Sequence, residues 1–513
     1  MEQQPSEHSF VPSTNEDVGE TSFGSGNSSA LLNADGIPAG LPSLASSDPD
    51  VHVSLPEIKV NGENVEQMLS EILLEDSPPP NGDNVSLVSS ANEVYKDKLQ
   101  RAMSSFNCIL ARHTRKYLIF TSSGKPVFSN VADESLEPST VAALQAIISS
   151  FEVIKEDLIY FETRSTIIVA HSASPLNLVC ISPLTTLSPE FMKNELKLLY
   201  HQILSIITNK SISSILDSRP NYDLRRLIGS SEQFLRVLSS DLERYEPFSF
   251  LNAISPIPLR VSFRDQLSQL LLKEKPKSLI FALLAVRGRL VCAIKARKLM
   301  LHASDLYLIF LSVFNTQAFN DSMEHWVPIC LPNLNPNAYL YIYSHFVHQD
   351  IALILASNEN SSFFDMQEMR NTVSLRLKER FWLQKILHAA ELDQTSFRNP
   401  GFPCILHYLF YSKKYSQFYA PGYTFNAKND PKTLYAIYAG LHDQVFHRKR
   451  SLSIDVEIHG SLMLFTWSTS SFNFYCVANA NANLQIPIAN INKILRWIRR
   501  EETRLFICTN ISF

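Results

Sequence analysis

The feature that most constrains the fold of this chain is an order of predicted elements that recurs three times along it. Each round reads as a β-hairpin, a helix, three consecutive strands and a long helix. Strands in direct succession with short connections pair as antiparallel neighbours. Each round therefore predicts one antiparallel sheet with helices packed on it, and the chain as a whole is predicted to be an α+β protein with three modules.

The first round carries the clearest local signals. The polar turn 122–125 separates two short apolar strands, which indicates a hairpin. Val141, Leu144, Ile148 and Phe151 recur at helical spacing. Ser188-Pro189 is a helix start with proline at the first helical position. The predicted strands of this round are Lys116–Phe120, Pro126–Ser129, Leu158–Glu162, Thr166–His171 and Leu176–Ile181.

The second round repeats this order around the turn Arg287-Gly288-Arg289. Its last element is predicted as a long helix whose apolar face carries Met369, Val373, Leu377 and Phe381, each four residues apart. The predicted strands are Leu279–Val286, Leu290–Ala296, His325–Leu331, Ala338–Phe346 and Ile351–Ala356, with a helical stretch at His302–Phe314.

The third round contains a strict alternation in which Leu452, Ile454, Val456 and Ile458 are the apolar members, which predicts a half-buried strand. Leu505–Cys508 is predicted as an extra strand at the end of the chain. The other predicted elements are strands at Cys404–Tyr411, Gln417–Tyr419, Leu462–Trp467 and Phe472–Val477, a helix at Pro431–His447, and a final helix carrying Ile488, Ile491, Leu495 and Ile498.

These patterns divide the chain into five segments. The segment between the first two rounds is predicted to be helical but broken by prolines. The predicted boundaries are 1–94 for a disordered acidic tail, 95–210 for module 1, 211–275 for a helical linker, 276–390 for module 2 and 391–513 for module 3.

Charge is distributed unevenly between the tail and the rest of the chain. Residues 1–90 contain 15 acidic residues and one basic residue, whereas residues 91–513 contain 45 basic and 35 acidic residues. With few aromatic residues and many serines and prolines, the tail cannot bury enough apolar surface to fold alone. This charge asymmetry suggests that the tail associates with the body or that the body binds an anionic partner, and the alternative is a tail that only keeps the chain in solution.

The motifs of covalent chemistry are missing. Gly124-Lys125 is followed by Pro126 and lacks the glycine spacing of a phosphate-binding loop. The seven cysteines form no Cys-x-x-Cys pair, and no signal peptide or membrane span is predicted, so the cysteines are interpreted as reduced buried thiols of a cytoplasmic protein. His171, His345 and His407 lie in apolar strands and are interpreted as structural. No metal or cofactor is expected.

Surfaces are therefore the candidates for function. Short basic clusters attract anionic lipid headgroups, although such clusters are also common on solvated faces. They are too short, and the body too mildly basic, to favour nucleic acid. The predicted lipid-facing residues are Lys295, Arg297, Lys298, Arg448, Lys449 and Arg450.

Five local sequences carry a resemblance to a known family. They resemble hairpin and C-terminal signatures of the SAND family, the vacuolar-fusion Mon proteins, and together they extend over most of the predicted modules. The matching stretches are Lys116–Phe128, Phe281–Val291, His302–Leu306, Trp326–Pro332 and Ile494–Phe506.

The resemblance implies three longin modules and a function. Members of the family pair with a second tri-longin subunit, a Ccz-type protein. The heterodimer acts as guanine-nucleotide exchange factor for the late-endosomal and vacuolar Rab GTPase, and so promotes endosome-to-vacuole fusion, vacuolar protein transport and autophagy. The family implies peripheral attachment to phosphoinositide-containing membranes of the late endosome, multivesicular body and vacuole. It also implies that the first modules of both subunits form the GTPase-binding surface, and that the third modules and basic surfaces bear on dimerisation and on membrane binding.

Six residues of module 1 are candidates for that surface. Ser123, Gly124, Lys125 and Pro126 form the hairpin loop, and Gln145 and Ser149 lie on the polar side of the following helix. Read without the resemblance, the same residues are a connecting turn and a solvated helix face.

Two functions thus remain open from sequence. One is an exchange-factor subunit, which needs no nucleophile or base. The other is a tethering or coat scaffold built from longin modules that leaves nucleotide exchange unchanged. A hydrolase centred on 211–275 has little support, because that segment contains neither histidine nor cysteine.

Overall fold

The structure is a computed structural model that describes only part of the chain. The described residues are 115–131, 138–183, 187–315, 324–395, 402, 404–422, 431–448, 453–459, 462–479, 485–508 and 511–512. The predicted acidic tail, Lys449, Arg450 and the side chain of Arg448 lie outside them. Among the described helices, none combines the length and the apolar character that crossing a bilayer requires.

The first sheet has the strand order β2-β1-β5-β4-β3, and its pairs are antiparallel. Side chains alternate across β1: Leu118 and Phe120 face α1, whereas Tyr117 and Ile119 face α2. As predicted, Ser188 caps α2 by accepting a hydrogen bond from the Phe191 amide. The elements are β1 (Lys116–Thr121), β2 (Pro126–Ser129), α1 (Pro138–Val153), β3 (Tyr160–Glu162), β4 (Thr166–Ala173), β5 (Leu176–Pro183) and α2 (Pro189–Ile206).

The segment after α2 is helical and interrupted near prolines, as its sequence predicts. Its helices are part of the module cores: Leu235 and Leu238 pack in the cluster beneath the first sheet, and Leu267 and Leu271 in a cluster of the second. The helices are α3 (Asn209–Ser218), α4 (Arg225–Ile228), α5 (Glu232–Glu243), α6 (Pro247–Leu251) and α7 (Val261–Lys273).

The second sheet repeats the antiparallel order as β7-β6-β10-β9-β8. Arg287 and Gly288 both have positive φ, which is the backbone of a tight two-residue hairpin. The elements are β6 (Leu279–Val286), β7 (Arg289–Lys295), α8 (Ala303–Phe314), β8 (Glu324–Cys330), β9 (Tyr339–His348), β10 (Ile351–Ser357), α9 (Phe363–Glu379) and α10 (Trp382–Thr395).

One predicted helix of this module is wrong in its extent. Met369, Val373 and Leu377 are buried on α9 as expected, but Phe381 is not a fourth member of that face. The helix ends at Glu379, Phe381 has φ of 55°, and its side chain is 66% exposed. The chain reverses there, and the next residue, Trp382, enters the core.

The third sheet has the order β12-β11-β15-β14-β13, again antiparallel. β13 forms as predicted, yet its apolar members Ile454, Val456 and Ile458 are 37%, 44% and 56% exposed. These side chains are exposed because β13 is the edge strand of the sheet, whereas α12 contacts the strands β11 and β15. The elements are β11 (Ile405–Ser412), β12 (Gln417–Tyr419), α11 (Pro431–Arg448), β13 (Ser453–His459), β14 (Leu462–Ser468), β15 (Phe472–Asn479) and α12 (Gln485–Arg500).

The predicted terminal strand Leu505–Cys508 is wrong. A short helix, α13 (Glu502–Leu505), occupies part of it, and the amide of Leu505 donates to the carbonyl of Glu501. A short apolar run does not distinguish a strand from a buried helix end. The terminal strand is instead β16 (Ile511–Ser512), which pairs in parallel with β7 of the second sheet.

The three modules share one hydrophobic cluster. Leu311 of α8 and both Ala436 and Ala439 of α11 pack in the same cluster as α2 and the first sheet. Thus the first helices of modules 2 and 3 face inward. Within the described parts of the chain, in contrast, the cluster beneath α1 draws on residues 118–181 alone, so α1 covers an outer face of these parts.

Candidate protein-binding surface

The tip of the β1–β2 hairpin is fixed by its own hydrogen bonds. The amide of Gly124 donates to the carbonyl of Thr121 at 2.8 Å, and the amide of Lys125 donates to Thr121 Oγ1 at 3.1 Å. Gly124 has φ of 78°, a conformation that favours glycine. A β-carbon there would lie 3.8 Å from Gln145 Cγ, so backbone conformation rather than space selects glycine.

Gln145 of α1 joins the helix to this tip. Its Nε2 donates to the carbonyl of Ser122 at 2.8 Å and to Ser149 Oγ at 2.9 Å, while its Oε1 accepts from Asn177 Nδ2 at 3.1 Å. The structure therefore places the candidate Gln145 against the hairpin loop and the candidate Ser149 against Gln145. The sequence indicated both elements, but it did not indicate that Gln145 would bond to Ser122 or to the buried Asn177 on β5.

Two side chains of the hairpin loop, Ser123 and Lys125, differ in their hydrogen bonding. Ser123 Oγ donates to the carbonyl of Pro220 at 2.8 Å, which ties the tip to the segment after α3. The ammonium of Lys125 makes no hydrogen bond or ion pair with any residue of the described ranges. Pro126 is exposed at the start of β2. The tip thus presents a positive charge on a rigid turn, a suitable feature for a negatively charged partner.

An apolar patch lies on the same module at the end of α1 and the edge of the sheet, and sequence analysis missed it. Two members lie off the buried stripe of α1, two lie in the connection that follows it, and one lies on β3, the three-residue strand at the edge of the described sheet. An unpaired edge beside exposed aliphatic side chains is a typical protein-binding feature. The patch consists of Ile147, Val153, Ile154, Ile159 and Tyr160, with exposures of 37%, 82%, 60%, 49% and 47%.

The predicted lipid-facing residues are only partly available. Lys295 is half-buried, and its Nζ donates to the carbonyl of Leu299 at 2.6 Å. Arg297 and Lys298 are exposed in the following loop. Lipid contact by any of these residues stays a prediction.

Two histidines of apolar strands, His407 on β11 and His171 on β4, have pKa values that burial lowers. Nδ1 of His407 lies 2.9 Å from the hydroxyl of Tyr438, and its Nε2 lies 3.1 Å from the carbonyl of Pro421. Burial lowers the pKa of His407 to about 4, so the ring is neutral at pH 7. Burial likewise lowers the pKa of His171 on β4 to about 4. The two contacts of His407 lie within the fold, and the structural interpretation of His171 and His345 stays a prediction.

Comparison with known proteins identifies the three modules. Residues 115–238, 277–375 and 404–502 match, in order, the first, second and third longin domains of FUZ, MON1 and HPS1. The chain belongs to this longin family. The predicted tri-longin α+β fold is therefore confirmed, and the resemblance to SAND and Mon proteins with it.

Curated relatives cover most of the chain. The vacuolar fusion protein MON1 of Yarrowia lipolytica is 29% identical over 408 residues, 78% of this chain and 75% of that protein. Protein SAND of Takifugu rubripes is 29% identical over 405 residues, 78% and 77% of the two chains. The vacuolar fusion protein MON1 homolog A of Bos taurus is 29% identical over 406 residues, 78% and 73%.

Proposed function

We propose that this chain is one subunit of a heterodimeric guanine-nucleotide exchange factor that activates a late-endosomal or vacuolar Rab GTPase. It would thereby promote endosome-to-vacuole fusion, vacuolar protein transport and autophagy. Relatives named for vacuolar fusion support the pathway. The structural observation that carries the proposal is that α1 and the β1–β2 tip form an outer face, whereas α8 and α11 are packed inward.

Exchange requires a shaped surface rather than reactive groups. A factor that binds the nucleotide-free GTPase more tightly than the nucleotide-bound form lowers the barrier to nucleotide release. A rigid tip that presents Lys125, braced by Gln145, supplies a fixed positive contact of this kind. The proposal assigns GTPase contact to Ser123, Gly124, Lys125, Pro126, Gln145 and Ser149.

The proposed partner is a Ccz-type tri-longin subunit. The apolar patch around Ile154, together with the unpaired edge of β3, is the proposed docking surface for it. Burying such aliphatic side chains against a partner contributes favourably in proportion to area. The edge strand offers unsatisfied backbone groups to a strand of the partner.

A heterodimer variant tests this docking surface. Replacing Ile154 by Glu places a charge where the interface is expected to be apolar, so we expect affinity for the partner to fall about ten-fold or more. The chain itself should unfold at the same temperature, because Ile154 is 60% exposed. Co-purification with the partner measures the effect. Glu156→Gln, an exposed neighbour, is the control, and equal loss in both variants would contradict the assignment.

A charge reversal tests the hairpin tip. In the assembled heterodimer, Lys125→Glu is expected to lower the rate of Rab nucleotide release about ten-fold, because the like charge weakens encounter with an acidic GTPase surface. Fluorescent-nucleotide release measures this rate. Lys116→Glu reverses an exposed lysine at the other end of β1 and should leave the rate unchanged. A Lys125→Glu complex as active as the original would remove the tip from the proposed surface.

Attachment to membranes is proposed to be peripheral, on the cytoplasmic face of late endosomes, multivesicular bodies and vacuoles. The proposed headgroup contacts are Lys295, Arg297, Lys298, Arg448, Lys449 and Arg450, on a phosphoinositide-containing surface. Of these, Arg297 and Lys298 have exposed side chains.

The second candidate is a tethering or coat scaffold. It is favoured by the exposed apolar stripe of Ile454, Val456 and Ile458 on the edge strand β13, a second surface suited to protein contact. A scaffold would form the same heterodimer but leave nucleotide release unchanged.

A further inference from the structure

The corner between α9 and α10 has a phenylalanine at a position of the helix end where glycine or asparagine is usual. The amide of Phe381 donates to the carbonyl of Lys378 at 3.1 Å, and that of Arg380 to the carbonyl of Arg376 at 3.3 Å, so Phe381 follows the helix cap. With φ of 55°, Phe381 occupies the left-handed position where glycine or asparagine is usual. A bulky aromatic residue there is strained, and 66% of it is exposed to water.

The neighbours of Phe381 hold the backbone in place without using its ring. Trp382 is buried and stands edge-on to Phe263 at 5.7 Å, while the Arg380 guanidinium lies 4.9 Å from the centre of the Trp382 ring. No ring or cation contact of Phe381 is present within the described parts of the chain. Neither folding nor packing explains a phenylalanine at this position, and such local conflicts are typical of functional sites.

The charges around Phe381 identify what would contact it. Residues 376–385 include four basic residues, all exposed, and one acidic residue. Glu379 pairs with Arg376 at 3.2 Å. An exposed aromatic ring among cations matches an anionic bilayer, which takes up the ring at the headgroup boundary and attracts the cations. Protein interfaces, in contrast, are depleted in lysine. The basic residues are Arg376, Lys378, Arg380 and Lys385.

We propose that the α9–α10 corner is a membrane-contact site, in which Phe381 inserts into the headgroup region of an anionic bilayer and Lys378 and Lys385 contact lipid phosphates. The site differs in sequence position from the basic loop at Lys295–Lys298. The inference rests on the proposed function only in that the protein works at an organelle surface. Membrane binding and nucleotide exchange are measured separately, so each can fail without the other.

Flotation with lipid vesicles tests the site. The full chain, assembled with its partner, is mixed with vesicles of neutral phosphatidylcholine alone or with about one third phosphatidylserine. We expect binding to the anionic vesicles only, and about ten-fold weaker binding for Phe381→Gly. Glycine suits the left-handed conformation, so this variant should fold at least as stably as the original.

Two further variants separate insertion from charge. Phe364→Ala removes another exposed phenylalanine, 73% exposed near the start of α9 beside Asp365, and should not change binding. Lys378→Glu should weaken binding and reduce its dependence on salt. Wild-type affinity in Phe381→Gly, or equal losses in Phe381→Gly and Phe364→Ala, would overturn the proposal. So would slower exchange by Phe381→Gly in solution without vesicles, because that result would place the ring against a protein.

Discussion

A chain carrying Arg115→Met is expected to lose about 3–5 kcal/mol of its free energy of unfolding, because the substitution leaves the buried Glu195 carboxyl without its ionic partner. Both residues are almost fully buried, with Arg115 Nη2 3.2 Å from Glu195 Oε1. The guanidinium also donates to the carbonyl of Leu242 on α5 and lies 4.3 Å from the centre of the Tyr245 ring. The pair thus connects the first sheet, α2 and α5.

The direction of the Arg115 pKa supports an intact ion pair. Burial alone would lower this pKa, but the Glu195 carboxylate together with Tyr117, Tyr245 and Cys180 outweighs burial, so the pKa of Arg115 is raised. Burial raises the pKa of Glu195 to about 7, against the lowering effect of Arg115 and of the Tyr117 hydroxyl. Removing both charges together should then restore most of the lost stability. The double variant Arg115→Met, Glu195→Gln keeps an acceptor for the Tyr117 hydroxyl, which lies 3.0 Å from Glu195 Oε2. Urea unfolding compares the variants, and a double variant as unstable as Arg115→Met would contradict the ion-pair explanation.

The second large effect is expected at Arg264 of α7. Its guanidinium donates to the carbonyls of Thr503, Arg504 and Phe506, and also to that of Ile257, at 2.9–3.1 Å. Burial lowers the pKa of Arg264, and the contacts to carbonyl oxygens are what stabilise its charge in this site. This side chain therefore links the C-terminal segment to α7, which packs in a cluster of the second sheet.

Arg264→Met should leave the carbonyls of Ile257 and Thr503 without a donor, at a cost of about 3 kcal/mol or more, whereas the Arg504 carbonyl keeps the amide of Leu259. We expect the loss to be local first, with faster amide hydrogen exchange at Leu505, Phe506 and Ile507 than in the first sheet. Arg260→Met, an exposed arginine in the preceding turn, is the matched control. Unchanged exchange at the C-terminal segment in Arg264→Met would contradict its role as the connection.

The bounds of a strand could be predicted from the sequence where the burial of its side chains follows the local order of apolar and polar residues. β2, β6 and β12 agree with their predicted bounds residue for residue, because apolar runs bounded by turn residues specify both pairing and length. The failures have a common cause. Phe381 and Ile454 continue apolar periodicities, yet their burial depends on what the rest of the fold places above them. Local sequence does not specify which elements of the fold pack over a given strand or helix face.

The candidate site was also predictable in part: its elements could be predicted from the sequence, but the contacts between them could not. The hairpin loop and the polar side of α1 were visible in sequence, but the Gln145 hydrogen bonds that unite them were not, since Ser122 and Asn177 lie 23 and 32 residues away. The apolar patch was not predicted, because Val153 lies outside the buried spacing of α1 and Ile154 lies beyond the end of the helix. Apolar residues that do not continue the buried spacing were the available signal.

Nucleotide release from Rab GTPases tests the central claim most directly. The chain, co-purified with a Ccz-type tri-longin partner, is added to a panel of Rab proteins loaded with a fluorescent guanine nucleotide. We expect selective acceleration of nucleotide release from a late-endosomal or vacuolar Rab, and a smaller acceleration by the Lys125→Glu complex. A stable heterodimer that accelerates release from none of them would contradict the exchange function and leave the scaffold as the better explanation.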